Sequence, residues 1–254
     1  MIRSILALIA PGPCRVCGDD LPAVALACVC PLCWSSLPLH VGRACARCDL
    51  PLADAARAAP LHECPGRGRS GLERVVAPFV YEDAAVTLHR LLKFDGADRL
   101  AAPLGRAMAL AWRLRGPFDP EMCVPVPADR LRLPPRRLAA GRLARAVAAR
   151  LGRPRDRRAL WKTRTTRPQT GRDRGARSRA LRGLFRADPA RVRGRSVLVV
   201  DDVATTGATL REAARALAAA GARRTGALVL ARTPSPGYRL ELSAAAGRPE
   251  GRKG

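Results

Sequence analysis

The stretch Ser196–Leu210, which reads SVLVVDDVATTGATL, constrains the fold of this chain more than any other segment. Its apolar run Val197–Val200 is rich in β-branched residues and is typical of a parallel strand buried on both faces. A turn of threonine and glycine follows, and apolar residues then recur at helical spacing from Leu210 onward. The order of strand, short turn and helix predicts one unit of an α/β sheet.

Two carboxylates, Asp201 and Asp202, follow the apolar run directly, where the strand is expected to reach its carboxyl end. Open α/β sheets bind their ligands at that edge. An ionised carboxylate only accepts hydrogen bonds, so an acidic pair suits the neighbouring hydroxyls of a ribose, and Mg2+ can share the negative charge. The pair therefore predicts a sugar ligand held with Mg2+.

The turn that follows predicts a phosphate site. Free backbone N–H groups and the helix dipole meet at a helix start and attract anions. Glycine lets the backbone approach a ligand closely, and threonine hydroxyls add donors. The residues concerned are Thr205, Thr206, Gly207, Ala208 and Thr209. With the acidic pair beside it, the turn predicts a ribose 5-phosphate ligand; a receiver-type acidic strand end, or a plain strand, loop and helix, are the alternatives.

The first 70 residues carry most of the cysteines, arranged in C-x-x-C pairs. The two-residue spacing directs both sulfurs of a pair at one point, so two pairs predict a tetrahedral zinc site. The predicted ligands of this first site are Cys14, Cys17, Cys30 and Cys33. Disulfides are less favoured, because the chain begins without a credible secretion signal.

A third pair, Cys45 and Cys48, predicts a second zinc site. Leu61 occupies the position where a fourth pair would begin, three residues before Cys64. His62 can complete a Cys3His site with unusual spacing, while water or a vacant second site is the alternative. One or two structural zinc ions are therefore expected.

Strands and helices alternate after residue 70 and predict a parallel sheet with right-handed crossovers. The predicted strands include Val75–Tyr81, Cys123–Val126 and Ala227–Ala231, and the predicted helices are 84–94, 100–114, 138–151 and one from Leu210 to Ala220. The predicted organisation is a helix and double zinc ribbon in residues 1–70, an α/β domain in 71–233 and a flexible tail in 234–254. No apolar run approaches the 18 residues of a membrane span, and a cytoplasmic protein is expected.

The formal net charge of +25 is concentrated in one segment. Residues 130–195 hold 22 arginines and one lysine against three aspartates, a net charge of +20. Such a segment can attract pyrophosphate or nucleic acid, although compositional bias in the coding sequence is the alternative. The segment is predicted to act as a hood or loop, and residues 156–180 are predicted to be mobile because they carry little apolar periodicity.

The segment VLVVDDVATTGATL resembles the binding signature of type I phosphoribosyltransferases. In that family the acidic pair holds the ribose hydroxyls of phosphoribosyl pyrophosphate and the turn holds the 5-phosphate. Together with the cysteine pairs, the prolines within Val124–Pro127 and the arginine-rich segment, the chain resembles the ComF/GntX family. That family joins a double zinc ribbon to a type I phosphoribosyltransferase-like domain, and its members are linked to DNA uptake in natural competence.

The resemblance implies phosphoribosyl pyrophosphate and Mg2+ at the acidic pair and the turn, and Arg130 is a candidate for neutralising the pyrophosphate. The sequence departs from the family at two places: Leu138, Ala139 and Ala140 replace a Phe-Asn-Gln, and Ala180 replaces an Asn. No residue stands out as a general base, and His89 and His40 are interpreted as structural. The alternative function is single-stranded DNA binding beside the competence machinery, with Trp161 as the candidate for base stacking.

Overall fold

A parallel sheet forms the centre of the molecule in the computed structural model, which describes residues 12–21, 28–41, 43–52, 64, 71–94, 98–128, 139–164 and 181–235. The sheet order is β1–β7–β6–β3, and β2 continues the line of β1 along β7. Every pairing in this sheet is parallel. Its strands are β1 (Leu72–Val76), β2 (Phe79–Val80), β3 (Met122–Pro125), β6 (Ser196–Ala204) and β7 (Arg224–Arg232).

Helices cover both faces of this sheet, which confirms the predicted α/β fold. They are α1 (Pro31–Ser35), α2 (Asp83–Phe94), α3 (Ala101–Arg115), α4 (Ala139–Leu151), α5 (Pro189–Val192) and α6 (Ala208–Ala219). A short 3-10 helix, Asp98–Leu100, leads into α3. Gly152 and Gly221 adopt positive φ angles of 67° and 89° just after α4 and α6, the conformation in which glycine commonly ends a helix.

The continuous apolar run in β6 is explained by burial on both sides. Val197 and Val199 face a core built with α6, whereas Leu198 and Val200 face a core built with α2, α3 and α4. All four side chains are fully buried, and burying each contributes about 1.5–3 kcal/mol. Packing on both faces of the sheet therefore fixes the position of the carboxyl end of β6.

Part of the segment predicted as an arginine-rich loop is regular structure. Besides α4, it contains a two-stranded antiparallel sheet of β4 (Leu160–Lys162) and β5 (Phe185–Ala187), followed by α5. Leu160 and Phe185 are buried and pack in the same core as α6, which orders a stretch with little apolar periodicity. Within the predicted mobile stretch 156–180, residues 156–164 are thus structured, and residues 165–180 lie outside the described residues.

The cysteine-rich segment packs against the outer edge of β1 and β2. Leu39 forms an antiparallel bridge with Phe79, the His40 N–H donates to the Pro78 carbonyl at 2.7 Å, and the Val75 N–H donates to the Arg47 carbonyl at 2.8 Å. These bonds cover strand edges that would otherwise be open to pairing with other chains. The N-terminal helix predicted at the chain start lies outside the described residues.

A cluster of hydrogen-bonded side chains around Asp49 stabilises the contact between the cysteine-rich segment and the sheet. Asp49 is buried and accepts from the Ala77 N–H at 2.7 Å and from the Arg115 guanidinium at 3.2 Å. The Arg115 guanidinium also donates to the Ala77 carbonyl. His40 lies 3.3 Å from the Asp49 carboxylate, which agrees with the structural role expected for His40. The Cys45–Cys48 pair, which forms one zinc knuckle of the predicted ribbon, is directly followed by Asp49. This knuckle is thereby connected to both the sheet and α3.

Among the described helices, none combines the length and the apolar character that crossing a bilayer requires.

Candidate functional site

The acidic pair lies inside the last part of the strand rather than after it. The sequence predicted that the strand would end near Val200, but β6 continues through Asp201 and Asp202 to Ala204 because its ladder with β7 persists. Asp201 is paired with Val229, and Ala204 with Arg232. Both carboxylates remain partly exposed at the carboxyl edge of the sheet, which is the ligand edge of such folds.

A hydrogen-bonded chain of side chains reaches Asp202 from the neighbouring layer. The Tyr81 hydroxyl lies 3.0 Å from His89 Nδ1, and His89 Nε2 lies 3.0 Å from Asp202 Oδ2. The His89 side chain is buried between the two partners. His89 therefore orients a site carboxylate, a role that sequence analysis missed because 113 residues separate it from Asp202 and no local motif links them.

The two carboxylates differ in their protonation. Burial and the negative charge of Asp202 raise the pKa of Asp201 well above its ordinary value. Burial alone would also raise the pKa of Asp202, but the hydrogen bond from His89 and the charges of His89 and Lys93 hold that pKa below its ordinary value. Burial and the charge of Asp202 raise the pKa of Tyr81 as well. Asp202 is thus the ionised member of the pair and Asp201 the more readily protonated one.

The predicted phosphate turn has the conformation of a helix start open to an anion. Gly207 adopts φ 71° and ψ 8°, the left-handed region that glycine enters without strain, and α6 begins at Ala208. The Thr206 hydroxyl accepts from the Ala208 N–H at 3.3 Å, so it closes the turn locally. Within the described part of the chain, the N–H groups of Thr205, Thr206 and Gly207 donate to no protein acceptor. These donors are available to a ligand, and the exposed Thr205 hydroxyl lies beside them.

Two arginines hold the carbonyl groups of the same turn. Arg232 donates to the carbonyls of Ala204 and Thr205, and Arg211 donates to the Thr206 carbonyl at 2.9 Å. Sequence analysis missed both, because an arginine at the end of a strand or in a first helical turn carries no motif. The structure therefore adds Arg211 and Arg232 to the residues of this site.

Arg130 and the candidate zinc ligand His62 lie outside the described residues, so their predicted roles stay predictions. The remaining predicted residues of the sugar-phosphate site form one continuous edge. The two carboxylates lie near the end of β6, Thr205–Gly207 form the turn, and Ala208 and Thr209 open α6.

The first cysteine cluster brings together the four predicted thiols. The sulfurs of Cys14, Cys17, Cys30 and Cys33 all lie within 4.8 Å of one another. Cys17 and Cys30 sulfurs are 3.8 Å apart, close to the separation of about 3.8 Å that follows from four Zn–S bonds of about 2.3 Å in tetrahedral geometry. Burial and the neighbouring thiols raise the pKa of Cys33, because ionising the thiol is unfavourable there. A bound divalent cation removes this cost, since it neutralises the charge of the thiolate. The donor set therefore fits zinc.

The second cluster contains three of its four predicted ligands. The sulfurs of Cys45, Cys48 and Cys64 lie within 4.8 Å of one another, and this cluster can also hold zinc. Burial and the charges of Cys45 and Cys64 raise the pKa of Cys48 to about 12. Asp49, which follows this knuckle, adopts φ 52°, as Gly18 after the first knuckle adopts φ 85°, so each of the two knuckles is followed by a residue in the left-handed region. No disulfide links any of the nine cysteines, all of which are described.

Two of the nine cysteines lie outside both clusters. Cys123 is fully buried in β3, and burial raises its pKa to about 12. Cys28 belongs to neither cluster, and burial raises its pKa too. Neither is a candidate ligand.

The acidic strand, the turn and the helix after it lie within a range of the chain that matches a known domain family. Residues 140–244 match the family model described as the phosphoribosyl transferase domain, and the matched range contains β6, the turn, α6 and β7. Ahead of the matched range the chain carries the cysteine-rich region with its two candidate zinc clusters.

Among curated proteins, the chain is similar to adenine phosphoribosyltransferase of Mycobacterium marinum (strain ATCC BAA-535 / M). The two are 47% identical over 62 residues, which is 24% of this chain and 29% of that enzyme. The chain thus spans less than a third of the length of the curated relative that it matches.

Among solved structures, the glutamine phosphoribosylpyrophosphate amidotransferase from B. subtilis, complexed with ADP and GMP, is 20% identical with a TM-score of 0.36. The match covers 55% of this chain and 30% of that one. An allosteric regulatory enzyme of purine biosynthesis is 21% identical with a TM-score of 0.35, covering 51% and 26% of the two chains. A protein of Thermus thermophilus is 20% identical with a TM-score of 0.32, covering 55% and 86%.

Proposed function

We propose that this domain binds phosphoribosyl pyrophosphate, or a related ribose 5-phosphate ligand, together with Mg2+. One observation carries the proposal: three unpartnered N–H groups of the turn, counted among the described residues, adjoin two partly exposed carboxylates at the carboxyl edge of the sheet. An anion suits the N–H groups, and a sugar diol suits the carboxylates. The match of residues 140–244 to the phosphoribosyl transferase domain supports the same ligand.

In this proposal Asp202 stays ionised and accepts from a ribose hydroxyl, oriented from behind by His89. Asp201 lies next to it, and carboxylate oxygens are ligands that Mg2+ prefers, so the pair fits a cation shared with the ligand. The turn Thr205–Thr209 holds the 5-phosphate. Arg130, proposed to neutralise the pyrophosphate, completes the set.

Pentosyl transfer is the reaction class that such a ligand serves. It breaks the bond between the anomeric carbon and pyrophosphate, so positioning and neutralisation of the leaving group carry most of the catalysis. The described residues supply the positioning: a turn for the phosphate and a fixed carboxylate for the diol. The acceptor is to be identified by measuring pyrophosphate release with candidate nucleophiles.

Calorimetric titration with phosphoribosyl pyrophosphate and Mg2+ tests the proposed site. Wild-type protein should bind, and the double variant Asp201→Asn, Asp202→Asn should not. A charge-matched control is Glu73→Gln with Asp119→Asn, which removes two carboxylates at the opposite, amino-terminal edge of the sheet, one at the start of β1 and one ahead of β3. The control should bind as the wild type does. Wild-type protein that binds no ligand, or a double variant that binds equally well, contradicts the proposal.

We further propose a role in DNA uptake during natural competence, in the cytoplasm, with residues 1–70 as a zinc ribbon and 71–233 as the ligand-binding domain. The resemblance to the ComF/GntX family supports this role, and nine cysteines without a disulfide suit a reducing compartment. Deleting the gene should lower transformation by external DNA, and a chain with both aspartates replaced should fail to restore it. Normal transformation in the deletion strain contradicts this role.

Single-stranded DNA binding is a second candidate function, favoured by one surface. Trp161 on β4 is 43% exposed and pairs across the hairpin with Arg186. An exposed indole beside cationic side chains can stack on a base while phosphates are neutralised. Filter binding should weaken steeply with salt, and Trp161→Ala should cost more affinity than Leu114→Ala, an exposed apolar residue on α3. A flat salt response contradicts this function.

A further inference from the structure

Arg232 connects the second cysteine cluster to the phosphate turn. The residue is 2% exposed at the end of β7, and its guanidinium Nε donates to the Cys48 carbonyl at 3.1 Å. The same guanidinium donates to the Ala204 carbonyl at 2.7 Å and to the Thr205 carbonyl. The planar guanidinium of Arg232 therefore contacts both the knuckle of a candidate metal site and the start of the turn.

The arginines also determine which way the turn presents its N–H groups. A trans peptide unit is planar and points its C=O and its N–H in opposite directions. Arg232 holds the carbonyls of residues 204 and 205 and Arg211 holds that of residue 206, so the N–H groups of residues 205, 206 and 207 point away from the arginines. These are the three N–H groups without a protein acceptor among the described residues. The Ala204 carbonyl also accepts from the Thr233 N–H at 3.0 Å, so the arginine side chains fix mainly the carbonyls of residues 205 and 206 and, with them, the N–H groups of residues 206 and 207.

The cluster behind the arginines can change their position. Cys48, Gly207, Arg211 and Arg232 line one small cavity, so the knuckle, the turn and both arginines are neighbours. The buried guanidinium of Arg232 and the partly buried one of Arg211 lie together there, and three thiolates around one zinc ion carry a net negative charge that stabilises them. A zinc ion would also fix the Cys45–Cys48 knuckle, and with it the carbonyl that Arg232 contacts.

We propose that the cluster of Cys45, Cys48 and Cys64 is a regulatory metal site for the phosphate turn, coupled to it through Arg232. This inference rests on the proposed ribose 5-phosphate ligand and adds its regulation. Metal at the cluster holds Arg232 in place, Arg232 holds the carbonyls of the turn, and the N–H groups face the phosphate. Metal and ligand therefore bind with positive coupling, which is reciprocal by thermodynamic linkage.

The experiment titrates phosphoribosyl pyrophosphate with Mg2+ into the full-length, zinc-saturated protein. Cys64→Ser removes a metal ligand without touching an atom that Arg232 contacts, and it should weaken ligand binding about tenfold, within the usual range of coupling between sites. Cys28→Ser removes a cysteine that belongs to neither cluster and should bind as the wild type does. If the wild type binds no ligand, the proposed function fails. If the wild type and Cys64→Ser bind equally well, the coupling fails and the proposed function stands.

The route of the coupling is tested in a double-mutant cycle. Arg232→Lys keeps the charge but loses the fork that spans three carbonyls, so adding Cys64→Ser to it should cause no further loss of affinity. A further tenfold loss, about the size of the first, overturns Arg232 as the connection. Competition with a zinc chelator on wild-type protein gives an independent measurement, which holds even if Arg232→Lys does not fold. Phosphoribosyl pyrophosphate should strengthen zinc binding by the same factor, and unchanged zinc affinity overturns the coupling.

Discussion

Replacing the two site aspartates one at a time should have opposite effects on stability at pH 7. Asp202 accepts from His89 Nε2 at 3.0 Å and from the Val203 N–H at 2.8 Å, and its side chain is 21% exposed. A hydrogen bond to an ionised group contributes about 1.5–3 kcal/mol, and asparagine can keep the bond from Val203 but not the charged one. We expect Asp202→Asn to lower the free energy of unfolding by about 1.5–3 kcal/mol.

Asp201→Asn should not destabilise the protein. The Asp201 carboxylate accepts from the Asp202 N–H at 2.9 Å, which an amide oxygen can also do. Removing its charge relieves the repulsion with Asp202 and the cost of burying a second carboxylate. The free energy of unfolding of Asp201→Asn at pH 7 is therefore expected to equal or exceed that of the wild type.

The two effects should differ in their pH dependence. The pKa of Asp202 is lowered on folding, so its stabilisation is present above the unfolded value of about 3.9 and is lost as pH falls through the lowered pKa. The pKa of Asp201 is raised on folding, so wild-type stability falls as pH rises from about 3.9 through the raised pKa. The advantage of Asp201→Asn should therefore grow as pH rises from about 3.9 through the raised pKa of Asp201, whereas the deficit of Asp202→Asn should appear only above the lowered pKa of Asp202.

Urea unfolding of zinc-saturated protein at pH 5, 6, 7 and 8 measures these differences. Asp119→Asn, an exposed carboxylate far from the site, should stay within about 0.5 kcal/mol of the wild type at every pH. Both site variants should lose ligand affinity, so stability and binding change independently. Equal destabilisation by Asp201→Asn and Asp202→Asn at pH 7 would refute the opposite protonation of the pair.

Three further predictions concern the support of the site. Asp49→Asn breaks the buried pair with Arg115 and should cost about 3 kcal/mol of unfolding free energy in urea titrations, whereas Asp20→Asn on the exposed part of the other knuckle should cost almost nothing. Gly226→Ala puts a Cβ into the buried indole of Trp112 and should cost about 1–3 kcal/mol, with a shift in tryptophan fluorescence; an unchanged protein would contradict this packing. Metal analysis should find one or two zinc ions per chain, and a metal-free folded protein would contradict the ribbon.

The sequence predicted the elements whose pattern is local. The double-sided burial of Val197–Val200, the helix after the threonine and glycine turn and the four thiols of the first cluster all follow from spacing of at most about 20 residues, and the structure shows each of them, although the helix begins at Ala208 rather than Leu210. Boundaries were less accurate. β6 extends four residues beyond Val200, because pairing with β7 continues past the apolar run and charged residues at a sheet edge do not end a ladder.

The contacts that orient the site could not be predicted from the sequence. His89 reaches Asp202 across 113 residues, and Arg232 reaches Cys48 across 184. Neither pair has a local signature, and a chain with this many arginines gives no reason to single out one of them. The β4–β5 pairing was missed for a related reason, since only short apolar stretches anchor it, at Ala159–Leu160 and Leu184–Phe185, within an arginine-rich segment.

Several unfavourable features lie together at one edge of the sheet, and this arrangement is consistent with the ligand proposed above. At the carboxyl edge, two carboxylates are adjacent, three N–H groups lack an acceptor among the described residues, and the guanidinium groups of the buried Arg232 and the partly buried Arg211 lie together. At the amino-terminal edge the charges are paired, as in Arg224 with Glu73 at 2.6 Å and Arg223 with Glu121 at 2.8 Å. Folding alone favours the second arrangement, since unpaired polar groups cost stability. The carboxyl edge is explained when an anion and a cation complete it, because each then satisfies the groups that the protein leaves open.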